Sequence, residues 1–99
     1  MSDGTKMVVG TLYLRFVIRG SQSLKDKRQV VRSFKDRVRN RFNASVAEVG
    51  SLENCQSATL GVAVVANDHA HVQSVLASIA QLAGGLRDAE LVACETEIL

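Results

Sequence analysis

Residues 7–28 read MVVGTLYLRFVIRGSQSLKDKR, and this stretch decides the fold. Val8, Leu12, Leu14, Phe16 and Ile18 form one apolar row at alternate positions, whereas Val9, Thr11, Tyr13, Arg15 and Val17 between them are mixed. Such alternation predicts a long strand over 7–18 with one face covered and the other only partly so. Arg19-Gly20-Ser21-Gln22 is a turn. Ser23-Leu24-Lys25-Asp26 then has the S-x-x-D form of a capping box, with Ser23 as the N-cap. Leu24, Val31, Phe34, Val38 and Phe42 follow at helical spacing, which predicts a helix over 24–40.

The rest of the chain repeats this plan. Residues 45–49 are a short strand, 50–56 a polar turn, and 57–66 a third strand whose nearly continuous apolar run suits the middle of a sheet. Asn67-Asp68 can cap a second helix with Val72, Val75, Leu76, Ile79, Leu82 and Ala83 as its inner stripe, and Gly84-Gly85 marks its end. Residues 89–98 read as the last strand, with Val92, Cys94 and Ile98 on one face. The order β-α-β-β-α-β predicts an α+β, ferredoxin-like domain: a four-stranded antiparallel sheet of order 4-1-3-2, with both helices on one face. It places the two most apolar strands in the centre.

The 99 residues fit one domain, 1–99, with 1–6 expected to be a flexible tail. A hydrophobic fraction of 46% against 22% charged residues is that of a chain able to build a core, which rules out a disordered polymer. No apolar run approaches the roughly 20 residues of a membrane-spanning helix, and the start lacks the pattern of a secretory signal. A cytoplasmic location without membrane partners is therefore expected. Cys55 and Cys94 form no C-x-x-C pair and are expected to be free thiols. His69 and His71 diverge by about 200° at the start of a helix, a spacing that does not share a metal. No triad, G-x-S-x-G or P-loop pattern is present, so neither an enzyme nor a cofactor is expected.

Charge is distributed unevenly. Residues 1–43 hold 11 Lys and Arg against 3 Asp and Glu, a balance of +8; residues 44–99 hold 1 against 7, a balance of −6. Most of the excess is on the first helix, where Lys25, Arg28, Arg32, Lys35 and Arg39 fall within an arc of about 80° beside the apolar stripe. A solubility face usually mixes signs, and cations in a first helical turn oppose the helix dipole by about 0.3–1 kcal/mol each. The stripe is therefore the candidate polyanion-binding site. The turn before it, with Arg19, Gly20 and Ser23, is a candidate anion-binding turn at a helix N-terminus.

The open sheet face is expected to carry Val9, Tyr13, Arg15, Val17, Thr59, Gly61, Ala63, Val65, Leu91 and Ala93. Of these only Tyr13 could stack on a base, so the face is unlike an RNA-recognition motif. Its sparse charge instead makes Val9, Tyr13, Val17, Val65 and Leu91 a candidate oligomer face.

Ser23-Leu24-Lys25-Asp26-Lys27-Arg28, the run from Arg41-Phe42-Asn43-Ala44-Ser45-Val46-Ala47-Glu48-Val49, the strand Ala58-Thr59-Leu60-Gly61-Val62-Ala63-Val64-Val65 and Asn67-Asp68 together resemble the YlxP-like family of small bacterial proteins. The resemblance spans residues 7–98; residues 52–57 depart from that family's usual hairpin. It implies a ferredoxin-like fold in a bacterial cytosolic protein and no particular activity. Members often lie near genes for translation and ribosome maturation, which implies an RNA or ribosome setting. The leading expectation is a non-enzymatic RNA- or ribosome-associated module binding phosphate through its first helix. The alternative is a homo-oligomeric interaction module using the open sheet face, with the basic helix meeting an acidic protein.

Overall fold

The computed structural model describes residues 3–99. Of the expected tail, Met1 and Ser2 lie outside the described residues; residues 3–6 are exposed and belong to no helix or strand. The elements follow in the expected order: β1 (Val8–Val17), α1 (Leu24–Arg41), β2 (Ser45–Gly50), β3 (Ser57–Ala66), α2 (His69–Gly84) and β4 (Glu90–Ile98). They form one antiparallel sheet of spatial order β2-β3-β1-β4, which is 4-1-3-2 read from the other end.

The apolar alternation of β1 sorts as its sequence requires. Val8, Leu12, Leu14, Phe16 and Ile18 are buried beneath the helices, and Leu60, Val62 and Val64 of β3 join them. Both helices add to the same core: Val31, Phe34 and Val38 from α1, and Val72, Leu76, Ile79 and Ala83 from α2. Phe16 and Phe34 meet edge to face with ring centroids 5.5 Å apart. α1 lies over β2 and β3, whereas α2 lies over β1, β3 and β4. The basic helix thus flanks the β2 edge of the sheet.

Gly10 is what lets α2 approach β1. A Cβ at this position would stand 2.5 Å from Val72 Cγ1 and 2.7 Å from Leu76 Cδ1, both fully buried side chains. Gly10→Ala should therefore destabilise the fold by about 1–3 kcal/mol through overpacking, read as a lower urea midpoint at unchanged m-value. A midpoint equal to the parent's would show that α2 is free to shift.

One face assignment needs correction. The β1–β4 register slips between Arg15 and Phe16, so that Arg15 faces Ala93 but Phe16 faces Leu91. Val92 is the extra residue of a β-bulge, and it is exposed. Strict alternation placed Leu91 on the open face and Val92 with Cys94 and Ile98. The bulge instead turns Leu91 toward the helices, where it packs against the core. Leu91 accordingly leaves the candidate oligomer face, and Glu90, opposite Val17, takes its place.

Candidate functional site

The N-terminus of α1 is built as its sequence suggests. Ser23 Oγ accepts a hydrogen bond from the Asp26 N–H at 3.1 Å, and Asp26 Oδ2 accepts from the Gln22 N–H at 2.9 Å. The returning arm thus reaches the residue before the N-cap. From this start the helix carries Lys25, Arg28, Arg32 and Arg39 exposed and Lys35 half-buried along one flank. Arg39 is aimed at the sheet, its Nη2 donating to the Val46 carbonyl of β2 at 3.4 Å. Hence the stripe runs above the outer edge of β2. The ion pairs among the described residues are Arg19–Glu90 and Lys27–Glu48, and neither involves the stripe. None of its five cations has a carboxylate partner among the described residues.

Lys27 is the functional surprise of this helix. It is 1% exposed, although it sits among the other basic residues in sequence. Its Nζ lies 2.9 Å from Glu48 Oε2, a buried oxygen with no other polar partner. It also donates to the Ser51 carbonyl at 2.8 Å and to the Leu52 and Ser57 carbonyls at 3.3 Å each. Thus Lys27 ties the β2–β3 connection to the helix and contributes nothing to the exposed charge. Sequence reasoning passed over it, yet the signal was present. In the series Leu24, Lys27, Val31, Phe34, Val38 it occupies a stripe position, and Glu48 alternates with Val46 on the inward side of β2.

The candidate anion-binding turn is already occupied by protein groups. Arg19 Nη2 donates to Glu90 Oε2 at 2.7 Å, and Gln56 Nε2 donates to the Arg19 and Ser21 carbonyls. Ser23 is the cap, and Gly20 is exposed and lines the cleft beside the turn. A cleft of about 520 Å³ opens beside the turn, with Val17, Ile18 and Val30 as its apolar part. Its carboxylates, Asp26, Asp88 and Glu90, outnumber the guanidinium groups of Arg19 and Arg87, which disfavours an anion there.

On the open sheet face, Tyr13 and Val65 are 38% and 55% exposed, while Val9 and Val17 are half-buried. Val49, the bulged residue of β2, joins them at 59%. Its side chain rests over Gly61, where an added Cβ would come within 3.2 Å of Val49 Cγ1. Ala47, Gly61 and Ala63 then form the floor of a shallow hollow of about 350 Å³ between Tyr13 and Val49. Elsewhere among the described residues, no three His, Cys, Asp or Glu side chains come together as a metal site would need. No helix there is long and apolar enough to cross a membrane.

The molecule is therefore a ferredoxin-like α+β domain with an unpaired basic flank beside one sheet edge. Residues 9–96 match the family described as Protein of unknown function (DUF503), and the chain belongs to that family. It is 27% identical over 90 residues to the uncharacterized protein YlxP of Bacillus subtilis (strain 168), covering 91% of this chain and 98% of that one. Among solved structures, the de novo designed protein Foldit4 aligns with a TM-score of 0.57 at 16% identity, covering 95% of this chain and 97% of the design. SnoaB, a cofactor-independent oxygenase from Streptomyces nogalater, aligns at 0.51 with 18% identity, covering 92% and 90% of the two chains. At such identities these structures share the fold alone.

Proposed function

We propose that this protein is a non-enzymatic RNA- or ribosome-associated module that grips phosphate groups with the outer flank of α1. The observation that carries this reading is the stripe of Lys25, Arg28, Arg32, Lys35 and Arg39, which has no carboxylate partner among the described residues. Such a stripe works against the fold. Its successive members sit three or four residues apart, and like charges at that spacing cost about 0.2–0.5 kcal/mol per pair. From Lys25 to Arg39 it extends about 21 Å, enough to follow several phosphates of one strand. Tyr13 is distant from it on the opposite face of the sheet, and Phe42, beside Arg39 at the end of α1, is half-buried and packed against the core, so no fully exposed aromatic ring stands beside the stripe to stack on bases. Recognition is accordingly of backbone and shape rather than sequence. Titration of labelled single-stranded RNA at increasing salt tests this: log affinity should fall with log salt at a slope of about −2 to −4. Absence of binding at low salt would sink the proposal. A second reading, self-association through the open sheet face, is favoured by the exposure of Tyr13, Val49 and Val65 around one hollow.

A further inference from the structure

β2 begins at Ser45, opposite Ala63, whereas β3 runs on to Ala66. The last residues of β3 therefore have β1 on one side and no strand on the other. The ladder fixes where their backbone groups point. The Ile18 N–H donates to the Gln56 carbonyl at 2.9 Å, so even-numbered residues of β3 bond toward β1 and odd-numbered ones toward β2. Gly61 and Ala63 meet Ala47 and Ser45 in this way. Val65 turns its N–H and C=O to the same side, beyond the start of β2, where no backbone partner meets them among the described residues. A notch of about 520 Å³ lies on that side, between Val65 and the residues that lead into β2. The half-buried Phe42 and Ala44 make its apolar wall, Asn43 is exposed beside them, and Arg39, the last cation of the stripe, lines it too. Its volume is within the roughly 300–1,000 Å³ of small-ligand sites.

We infer that this notch holds one base of the RNA strand that the α1 stripe follows, with the base edge on the N–H and C=O of Val65 and the adjoining phosphate on Arg39. The inference rests on the phosphate-binding reading of the stripe and adds to it a place for a base. Arg39 donates to the Val46 carbonyl through Nη2 alone, and a guanidinium has further N–H groups to offer a phosphate. The base lies against the Phe42 wall while its edge meets the strand. Every base carries a donor beside an acceptor on its Watson–Crick edge, so one open backbone pair serves all four and selects none. The site thus separates a nucleic acid from other polyanions without reading its sequence.

An extended peptide is the other occupant that an open strand edge invites, and the length of the edge argues against it. Strand addition draws its affinity from a row of main-chain hydrogen bonds. Here the row would have one member, because β3 ends at Ala66 and Asp68 already caps α2. A base needs one donor and one acceptor, which is what Val65 has open. The cation at the same notch suits a nucleotide phosphate as well.

The affinities of the whole chain for a labelled oligouridine and for polyphosphate of equal charge, measured at one low salt concentration, test the notch. The oligouridine should bind about tenfold more tightly, as two hydrogen bonds and one partial aromatic contact allow. Val65→Pro removes the N–H at a free edge, where proline is tolerated, and should bring oligouridine down to the polyphosphate level without weakening polyphosphate. Val65→Ala keeps the N–H and should bind as the parent does. In the parent itself, the backbone amide resonance of Val65 should shift as oligouridine is added and stay in place with polyphosphate, a reading that needs no variant. Equal affinities for the two polymers, with an unmoved Val65 amide, would overturn the base site and leave the stripe as a phosphate grip. Binding of neither polymer would overturn both. A Val65 amide shifted by an extended valine-rich peptide and not by oligouridine would overturn the base site in favour of an added strand.

Discussion

Lys27→Met should lower the unfolding free energy by about 3–5 kcal/mol, the usual cost of leaving one partner of a buried ion pair alone. For a domain of this size that is a fall in melting temperature on the order of 15 °C or more. The cause lies in what stays behind: Glu48 Oε2, whose polar partner is Lys27, and the carbonyls of Ser51, Leu52 and Ser57. Ser51 holds a left-handed backbone with φ of 59°, a conformation that costs a non-glycine residue about 1–2 kcal/mol. Lys27 and the 2.9 Å contact of Ser51 Oγ with Thr59 Oγ1 hold it there. Amide exchange in residues 51–57 should therefore accelerate in the variant before any global opening. Adding Glu48→Leu should restore most of the stability, because exchanging a whole buried pair for apolar groups is close to neutral. The loop should stay mobile in the double variant, since its carbonyls still lack the ammonium. If Lys27→Met melts within about 1 kcal/mol of the parent, the pair does not anchor this connection.

The element order and the inward rows of β1 and α1 were legible because each obeys a single period. Val8 to Ile18 alternates, and Val31, Phe34 and Val38 follow the helix. What escaped the reading broke a period. The bulge at Val92 inserts one residue into β4, and every residue N-terminal to it changes face, which is how Leu91 moved inward. Nothing in the local composition of residues 90–95 announces that insertion. Lys27 escaped for another reason. Its residue type argued for solvent while its position argued for the core, and position prevailed because Glu48 and three carbonyls were waiting. Lys27 is one of the 11 cations of residues 1–43, so the exposed charge of α1 is smaller than that count, although the five-residue stripe does not include it. The turn before α1 depends on the fold in the same sense. Arg19, read alone, is a free cation, and only the fold brings Glu90 to it across 71 residues.

Replacing Lys25, Arg28 and Arg32 together with Gln should remove most RNA affinity and leave the fold intact. These three were chosen over Arg39, which also touches the Val46 carbonyl. Gln keeps a helix propensity close to that of Lys and Arg, and the change relieves like-charge repulsion and the dipole penalty near the helix start. Stability should accordingly be unchanged or slightly higher. Each phosphate that is no longer neutralised takes about 0.7 from the magnitude of the salt slope for a single strand, so three such phosphates take about 2. Affinity should drop alike for every sequence, since binding to the RNA backbone carries no base information. Arg15→Gln, on the far face of the sheet, should leave binding unchanged.

The most direct test of the account is the salt dependence of RNA binding measured on the parent and the Lys25, Arg28, Arg32 variant side by side. The parent should show a log–log slope of about −2 to −4, and the variant a slope shallower by about 2 with far weaker binding at low salt. Equal affinities and equal slopes for the two proteins would contradict it, leaving the α1 flank as a solvated surface with no polyanion to hold.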